Sequence, residues 1–210
     1  MTGDMSKAHI IFLNSTSSAG KGSIAAALLE SLPTPYVHVG LDDFIHLTRS
    51  PAYYGEQGFQ LLEENDGLGT RYTMAIGALG ERFFSGMHHA VASFAAAGNN
   101  LIVDTVLWDR TWLWEYVTIL QPFDVLFVGV MCPLAAVEER ECKRGDRLIG
   151  LARSQFDHVH AHGMYDLTVD TSVLDARACA QRICEFIATG KVPTAFARLD
   201  DFWSENRGTP

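Results

Sequence analysis

An α/β fold, a three-layer sandwich around a central five-stranded parallel sheet, is what this sequence predicts. Apolar runs of strand length recur at 9–13, 36–39, 101–103, 125–130 and 167–169, with helix-length segments between them. That alternation implies parallel strands with helices on both faces. The run Val125-Leu126-Phe127-Val128-Gly129-Val130 is apolar at almost every position, as a strand covered on both sides should be. The 210 residues contain no repeat, low-complexity tract or Pro/Gly-rich linker, so residues 1–210 read as one domain able to bury a full core.

The first strand runs into the small polar residues Asn14, Ser15, Thr16, Ser17, Ser18, Ala19 and Gly20, then Lys21, Gly22 and Ser23 at the start of a helix over 21–32. Strand, small-residue loop and lysine at a helix start is the layout of a phosphate-binding P-loop, in which backbone N–H groups and the helix dipole meet an anion. Ser15 stands where the first glycine of that motif belongs, and Gly22 stands where its metal-binding hydroxyl belongs, with Ser23 one step later. Pro33 and Pro35 end the helix. The second strand ends in Gly40-Leu41-Asp42-Asp43, and the third in Asp104-Thr105. Ligands of parallel sheets sit at the carboxyl ends of the strands, so these carboxylates converge on the loop. One is expected to accept a proton from a substrate hydroxyl and another to hold Mg²⁺. Adjacent side chains diverge, so one of Asp42 and Asp43 is a helix cap.

From 46 to 71 the periodicity fails, which predicts an irregular insertion on the substrate side, serving as a lid or lying as a surface loop. A long helix follows within 72–97, closed by Gly98. Further helices are expected at 112–120, 134–143 and 176–187, the last entered through a capping box from Ser172 to Asp175. In the tail, 191–210, Phe196, Leu199, Phe202 and Trp203 have helix-like spacing and predict an amphipathic helix that docks on the domain or pairs with another chain. Trp108, Trp112, Trp114, Phe83 and Phe84 are expected mostly in the core, with one or two lining a substrate pocket. Arg140, Arg144 and Arg147 lie after the fourth strand. Arginines clamp phosphoryl oxygens, and Arg144 and Arg147 are favoured because Glu138, Glu139 and Glu141 interleave with Arg140.

A net charge of −9 argues against a nucleic-acid binder, though not against a nucleotide ligand. The longest apolar run is far short of a membrane span, and residues 1–7 lack the apolar core of a signal peptide, so the cytoplasm is expected. Cys132, Cys142, Cys179 and Cys184 show no paired zinc spacing and read as small hydrophobes. His158, His160 and His162 lack acidic or thiol partners in register and read as hydrogen-bonded or solvated rather than metal-binding.

The loop from Asn14 to Lys21, Gly40-Leu41-Asp42, Arg144-Gly145-Asp146-Arg147, His160 and the stretch Tyr165-Asp166-Leu167-Thr168-Val169-Asp170-Thr171 together resemble the chloramphenicol phosphotransferase family. The resemblance implies the P-loop nucleoside triphosphate hydrolase/kinase type of fold, ATP and Mg²⁺ as cofactors, and transfer of the γ-phosphate to a hydroxyl of chloramphenicol or a similar small hydroxylated compound. By it, Asp42 matches the catalytic base, Lys21 the P-loop lysine, and Arg144 and Arg147 the phosphate-side arginines. Arg140 joins the loop residues as a nucleotide contact, and Ser23 and Asp104 are the expected metal ligands. A nucleoside, nucleotide sugar or other metabolite as acceptor, or a nucleotide-binding regulatory module, are the alternatives. Oligomeric state stays open.

Overall fold

Ile10 and Phe12 alternate with Ile11 and Leu13 along β1 (His9–Asn14), and both sets are buried because both faces of this strand are covered. A computed structural model describes residues 8–65, 67 and 69–205. Residues 1–7 and 206–210, and Asp66 and Leu68 of the expected insertion, lie outside them. β1 is the middle of a parallel five-stranded sheet of order β2-β5-β1-β6-β7, with β2 at Tyr36–Gly40, β5 at Asn100–Thr105, β6 at Asp124–Met131 and β7 at Leu167–Asp170.

One face carries α1 (Lys21–Ser31) and α7 (Ala176–Ala188), which bury Ile24, Leu28, Cys179 and Ile183 against Ile11, Leu13, Ile102 and Val128. The other carries α3 (Ala78–Ala96), α4 (Arg110–Leu120) and α8 (Ala195–Glu205). Its centre is aromatic: the Phe12 ring stands edge-on to Tyr116 at 4.8 Å and Phe127 at 5.6 Å, with Phe196 of α8 at 5.7 Å. Phe196, Leu199 and Trp203 turn α8 onto this core, whereas Phe202 stays exposed on its outer side.

Several expectations are corrected. The stretch 46–71 is not irregular: after a 3-10 turn at Pro51–Tyr53 it forms β3 (Phe59–Asn65), which pairs antiparallel with β4 (Thr70–Ile76). The long helix expected within 72–97 is borne out as α3, Ala78–Ala96, and residues 72 to 76 ahead of it belong to that hairpin. Asp175, not Ser172, caps α7: its carboxylate accepts from the Ala178 N–H at 2.8 Å, while Ser172 donates to Asp170. Two helices lie outside the expected set, α2 (Leu41–Ile45) and α6 (Leu151–Val159), the latter following α5 (Leu134–Arg144).

Candidate active site

A cavity of about 750 Å³ opens at the carboxyl ends of β1, β2 and β5, where Lys21, Asp42, Asp104, Arg140, Arg144 and Arg147 all reach its wall. The loop at its floor is shaped by three local devices. Ser15 is buried, and its hydroxyl donates to the Val130 carbonyl at 2.5 Å, so the side chain at the first-glycine position ties the loop to β6. Ser18 takes a left-handed backbone with φ 60°, and Gly20 has φ 97° just before α1. The first helical bond runs from Ile24 N–H to the Gly20 carbonyl, which leaves the preceding N–H groups of the helix start without intrahelical partners. The Thr16 and Ser18 hydroxyls are buried without hydrogen-bond partners among the described residues. Unused donors at a helix start form an anion cradle.

Lys21 is folded against this loop, its Nζ donating to the carbonyls of Ser15 at 3.1 Å and Thr16 at 2.8 Å. Burial pulls its pKa below the ordinary lysine value, opposed by the nearby carboxylates of Asp104 and Asp42. Asp104 Oδ1 is 3.7 Å from Nζ. Ser23 lies exposed on the cavity wall beside Gly22. A Cβ added at Gly22 would sit 3.6 Å from Asp104 Oδ2, so the place of the missing side chain adjoins that carboxylate.

The two adjacent aspartates separate. Asp43 accepts from the Gly40 N–H at 2.7 Å and caps α2. Asp42 turns into the cavity and pairs with both terminal nitrogens of Arg147. That hydrogen bonding holds Asp42 below the usual carboxylate range, against partial burial, and raises Arg147. Arg144 also borders the cavity and binds Asp146 at 2.8 Å. Arg140 is committed elsewhere: it donates to the hydroxyl and carbonyl of Thr171 at 2.9 and 2.7 Å, and that hydroxyl donates to the Ala19 carbonyl at 2.8 Å. It thus ties the end of β7 to the loop.

Sequence reasoning missed several supports. Gln155 of α6 accepts from the Ser17 N–H at 2.6 Å. Glu141, fully buried on α5, accepts from the N–H groups of Gly150 at 2.7 Å and Ala152 at 2.8 Å, and so anchors the segment that carries Arg147. A lone glutamate on the apolar side of an otherwise charged helix was the available signal. The five aromatic residues expected mostly in the core are largely there, Phe84 and Trp112 within it and Phe83 and Trp108 packed against it, while Trp114 is exposed; the one or two expected at a pocket do not line this cavity. His160 Nδ1 and His162 Nε2 meet the Tyr165 hydroxyl at 2.7 and 3.0 Å, and no group among the described residues has the makings of a three-ligand metal cluster.

Sheet order, loop and converging charges define a P-loop kinase fold, the fold class expected. Solved structures agree: adenylylsulfate (APS) kinase of Mycobacterium tuberculosis is 13% identical with a TM-score of 0.62, covering 87% of this chain and 98% of that one. Shikimate kinase of Acinetobacter baumannii is 16% identical with a TM-score of 0.57, covering 88% and 95%. The model of the family described as "Chloramphenicol phosphotransferase-like protein" matches residues 8–188, and the chain belongs to that family. A provisionally named O-phosphotransferase of Mycobacterium tuberculosis is 30% identical over 204 residues, covering 93% of this chain and 89% of the relative. The protein is a phosphotransferase that acts on a hydroxyl group.

Proposed function

We propose that the protein moves the γ-phosphate of ATP, with Mg²⁺ or a like divalent cation, to a hydroxyl of chloramphenicol or a similar small hydroxylated compound. The observation that carries this reading is the placement of Lys21, Asp42, Asp104 and Arg147 around one cavity above an anion cradle. The residues present suit both groups. Loop N–H groups from Ser15 to Ser23 and Lys21 would hold the nucleotide phosphates, and Asp104, with Ser23 at the edge, would hold the cation. When bound, that cation neutralises charge on the transferring phosphoryl group.

The chain's own residues supply the rest. Asp42 orients the acceptor hydroxyl and takes its proton as the oxygen attacks phosphorus, a general-base role suited to a carboxylate in the cavity. To do so it must leave Arg147, whose freed guanidinium then faces the phosphoryl oxygens together with Arg144 and Lys21. The β3–β4 hairpin, which begins in the 46–71 insertion and runs on to Ile76, is the acceptor flank of what we take to be a single kinase-like domain, with α8 of the 191–210 tail as its docked support. No helix among the described residues is long and apolar enough to cross a membrane, and we place the enzyme in the cytoplasm.

γ-Labelled ATP offered with chloramphenicol and a panel of small alcohols tests this. Label should appear on an acceptor, and Asp42→Asn should bind ATP as before while losing on the order of a hundredfold or more in turnover. Near-normal turnover by that variant would remove Asp42 as the base. Bound but unconsumed ATP across the panel would overturn the small-alcohol reading.

A further inference from the structure

Gly22 removes a hydroxyl from a place where the sheet supplies two other donor atoms. Strand alternation puts His38 of β2 and Asp104 of β5 on the α1 face, and the register sets Gly40 opposite Asp104, with His38 two residues back. The two carboxylate oxygens of Asp104 face different neighbours. Oδ1 looks toward Lys21 Nζ at 3.7 Å; Oδ2 lies 3.9 Å from His38 Nε2 and 3.6 Å from where a side chain at 22 would begin. The His38 ring is 30% exposed, yet its Nε2 is buried and has no hydrogen-bond partner among the described residues.

A distance of 3.9 Å is too long for a hydrogen bond, so the buried His38 Nε2 is left without a partner, which is costly. A cation could bridge it to Asp104 Oδ2 after a small closure, since metal–nitrogen and metal–oxygen bonds of about 2.1 Å set neighbouring donor atoms about 3 Å apart, so the two side chains would approach by about 1 Å. The space beside them is open because residue 22 has no side chain.

We propose that His38 Nε2 and Asp104 Oδ2 are a nitrogen–oxygen ligand pair for a first-row transition-metal dication such as Mn²⁺ or Co²⁺, the imidazole standing in for the hydroxyl that Gly22 lacks. Mg²⁺ takes oxygen ligands and holds its waters tightly, whereas imidazole suits the transition metals. Water and the phosphate oxygens of the nucleotide complete the coordination. This deepens the phosphotransfer reading and rests on it for the nucleotide, but the ligand pair itself stands on the protein alone.

The test therefore uses the full chain without nucleotide or acceptor. Mn²⁺ is titrated and followed by electron paramagnetic resonance, Mg²⁺ is used as competitor, and pulsed measurements on the bound Mn²⁺ look for coupling to a ring nitrogen. Wild type should show that coupling and favour Mn²⁺ over Mg²⁺ by about tenfold or more. His38→Ala and the polar His38→Gln, each checked for folding by circular dichroism, should lose the coupling and weaken Mn²⁺ about tenfold or more while Mg²⁺ changes little. Gly22→Ser should narrow the Mn²⁺ to Mg²⁺ ratio. Absence of nitrogen coupling in wild type, or Mn²⁺ affinity unaltered in both His38 variants, overturns the assignment. Failure of phosphate transfer in the acceptor panel would strike the phosphotransfer reading and leave these measurements intact.

Discussion

Removing His160 and His162 should make the protein less sensitive to mild acid. Both rings touch the Tyr165 hydroxyl beneath the cavity, and His162 Nδ1 also accepts from the Met164 N–H at 3.2 Å, which leaves that nitrogen no room for a proton. Each is held at a pKa of about 4: His160 by burial and by the nearby charge of Lys21, His162 by burial and by His160. An unfolded histidine titrates near 6.5. Between about pH 4 and 6.5 the unfolded chain therefore binds protons that the native chain refuses. Stability is full above that window and drains as pH falls through it. Moving from about pH 7.5 to pH 5 corresponds to about 2 kcal/mol per ring by linkage alone. Neither ring is fully buried, and solvent screening reduces this to about 2 kcal/mol for the pair. Urea unfolding at the two pH values measures the loss in wild type and in a His160→Asn, His162→Gln double variant. The variant should be weaker at neutral pH but lose about 2 kcal/mol less on acidification. Equal losses in both proteins would refute the reasoning.

Two further substitutions probe the segment that holds Arg147. Glu141→Gln removes the charge from a buried acceptor of two N–H bonds and turns an amide N–H₂ toward one of them. It should cost about 2–4 kcal/mol in chemical denaturation and speed hydrogen exchange at Gly150 and Ala152, whereas a change below about 0.5 kcal/mol would speak against the anchoring role. Gly150→Ala puts a methyl group 2.3 Å from the Thr70 carbonyl in a residue with φ 98°. At least about 2 kcal/mol should be lost, read as a lower melting temperature, and an unchanged melt would show that the hairpin does not press on this glycine.

The five sheet strands were legible because a strand covered on both faces writes itself as a continuous apolar run, as Val125 to Val130 do. The loop was legible from Lys21 and its small neighbours, since a tight turn around an anion restricts residue type. The β3–β4 hairpin was not: the residues of β3, such as Gln60, Glu63 and Glu64, are largely exposed and those of β4 mostly half-buried, so no apolar alternation marks the strands. α6 escaped for another reason. It has only nine residues, and its start is fixed by Glu141 from the preceding helix rather than by a local cap. The partition of Asp42 and Asp43 was foreseeable as a division, and the resemblance named Asp42 for the site, but its pairing with Arg147, 105 positions away, was not readable along the chain. The tie that Arg140 makes to Thr171 was hidden for the same reason, since Thr171 reaches it only through the fold.

α6 has a consequence for how the two substrates sense each other. Its neighbouring residues Ser154 and Gln155 reach in opposite directions: the Ser154 hydroxyl accepts from Tyr72 N–H of the hairpin at 2.7 Å, and Gln155 accepts from Ser17 N–H of the phosphate loop at 2.6 Å. A single turn of helix thus ties the hairpin, proposed above as the acceptor flank, to the phosphate loop. Any displacement that one ligand imposes on this turn is already made when the other arrives, and thermodynamic reciprocity requires equal effects in both directions. With the hairpin as the proposed acceptor flank, binding of the two substrates would be coupled through a helix that touches neither reacting atom, and the sign of the coupling would be set by whether both ligands favour the same position of α6.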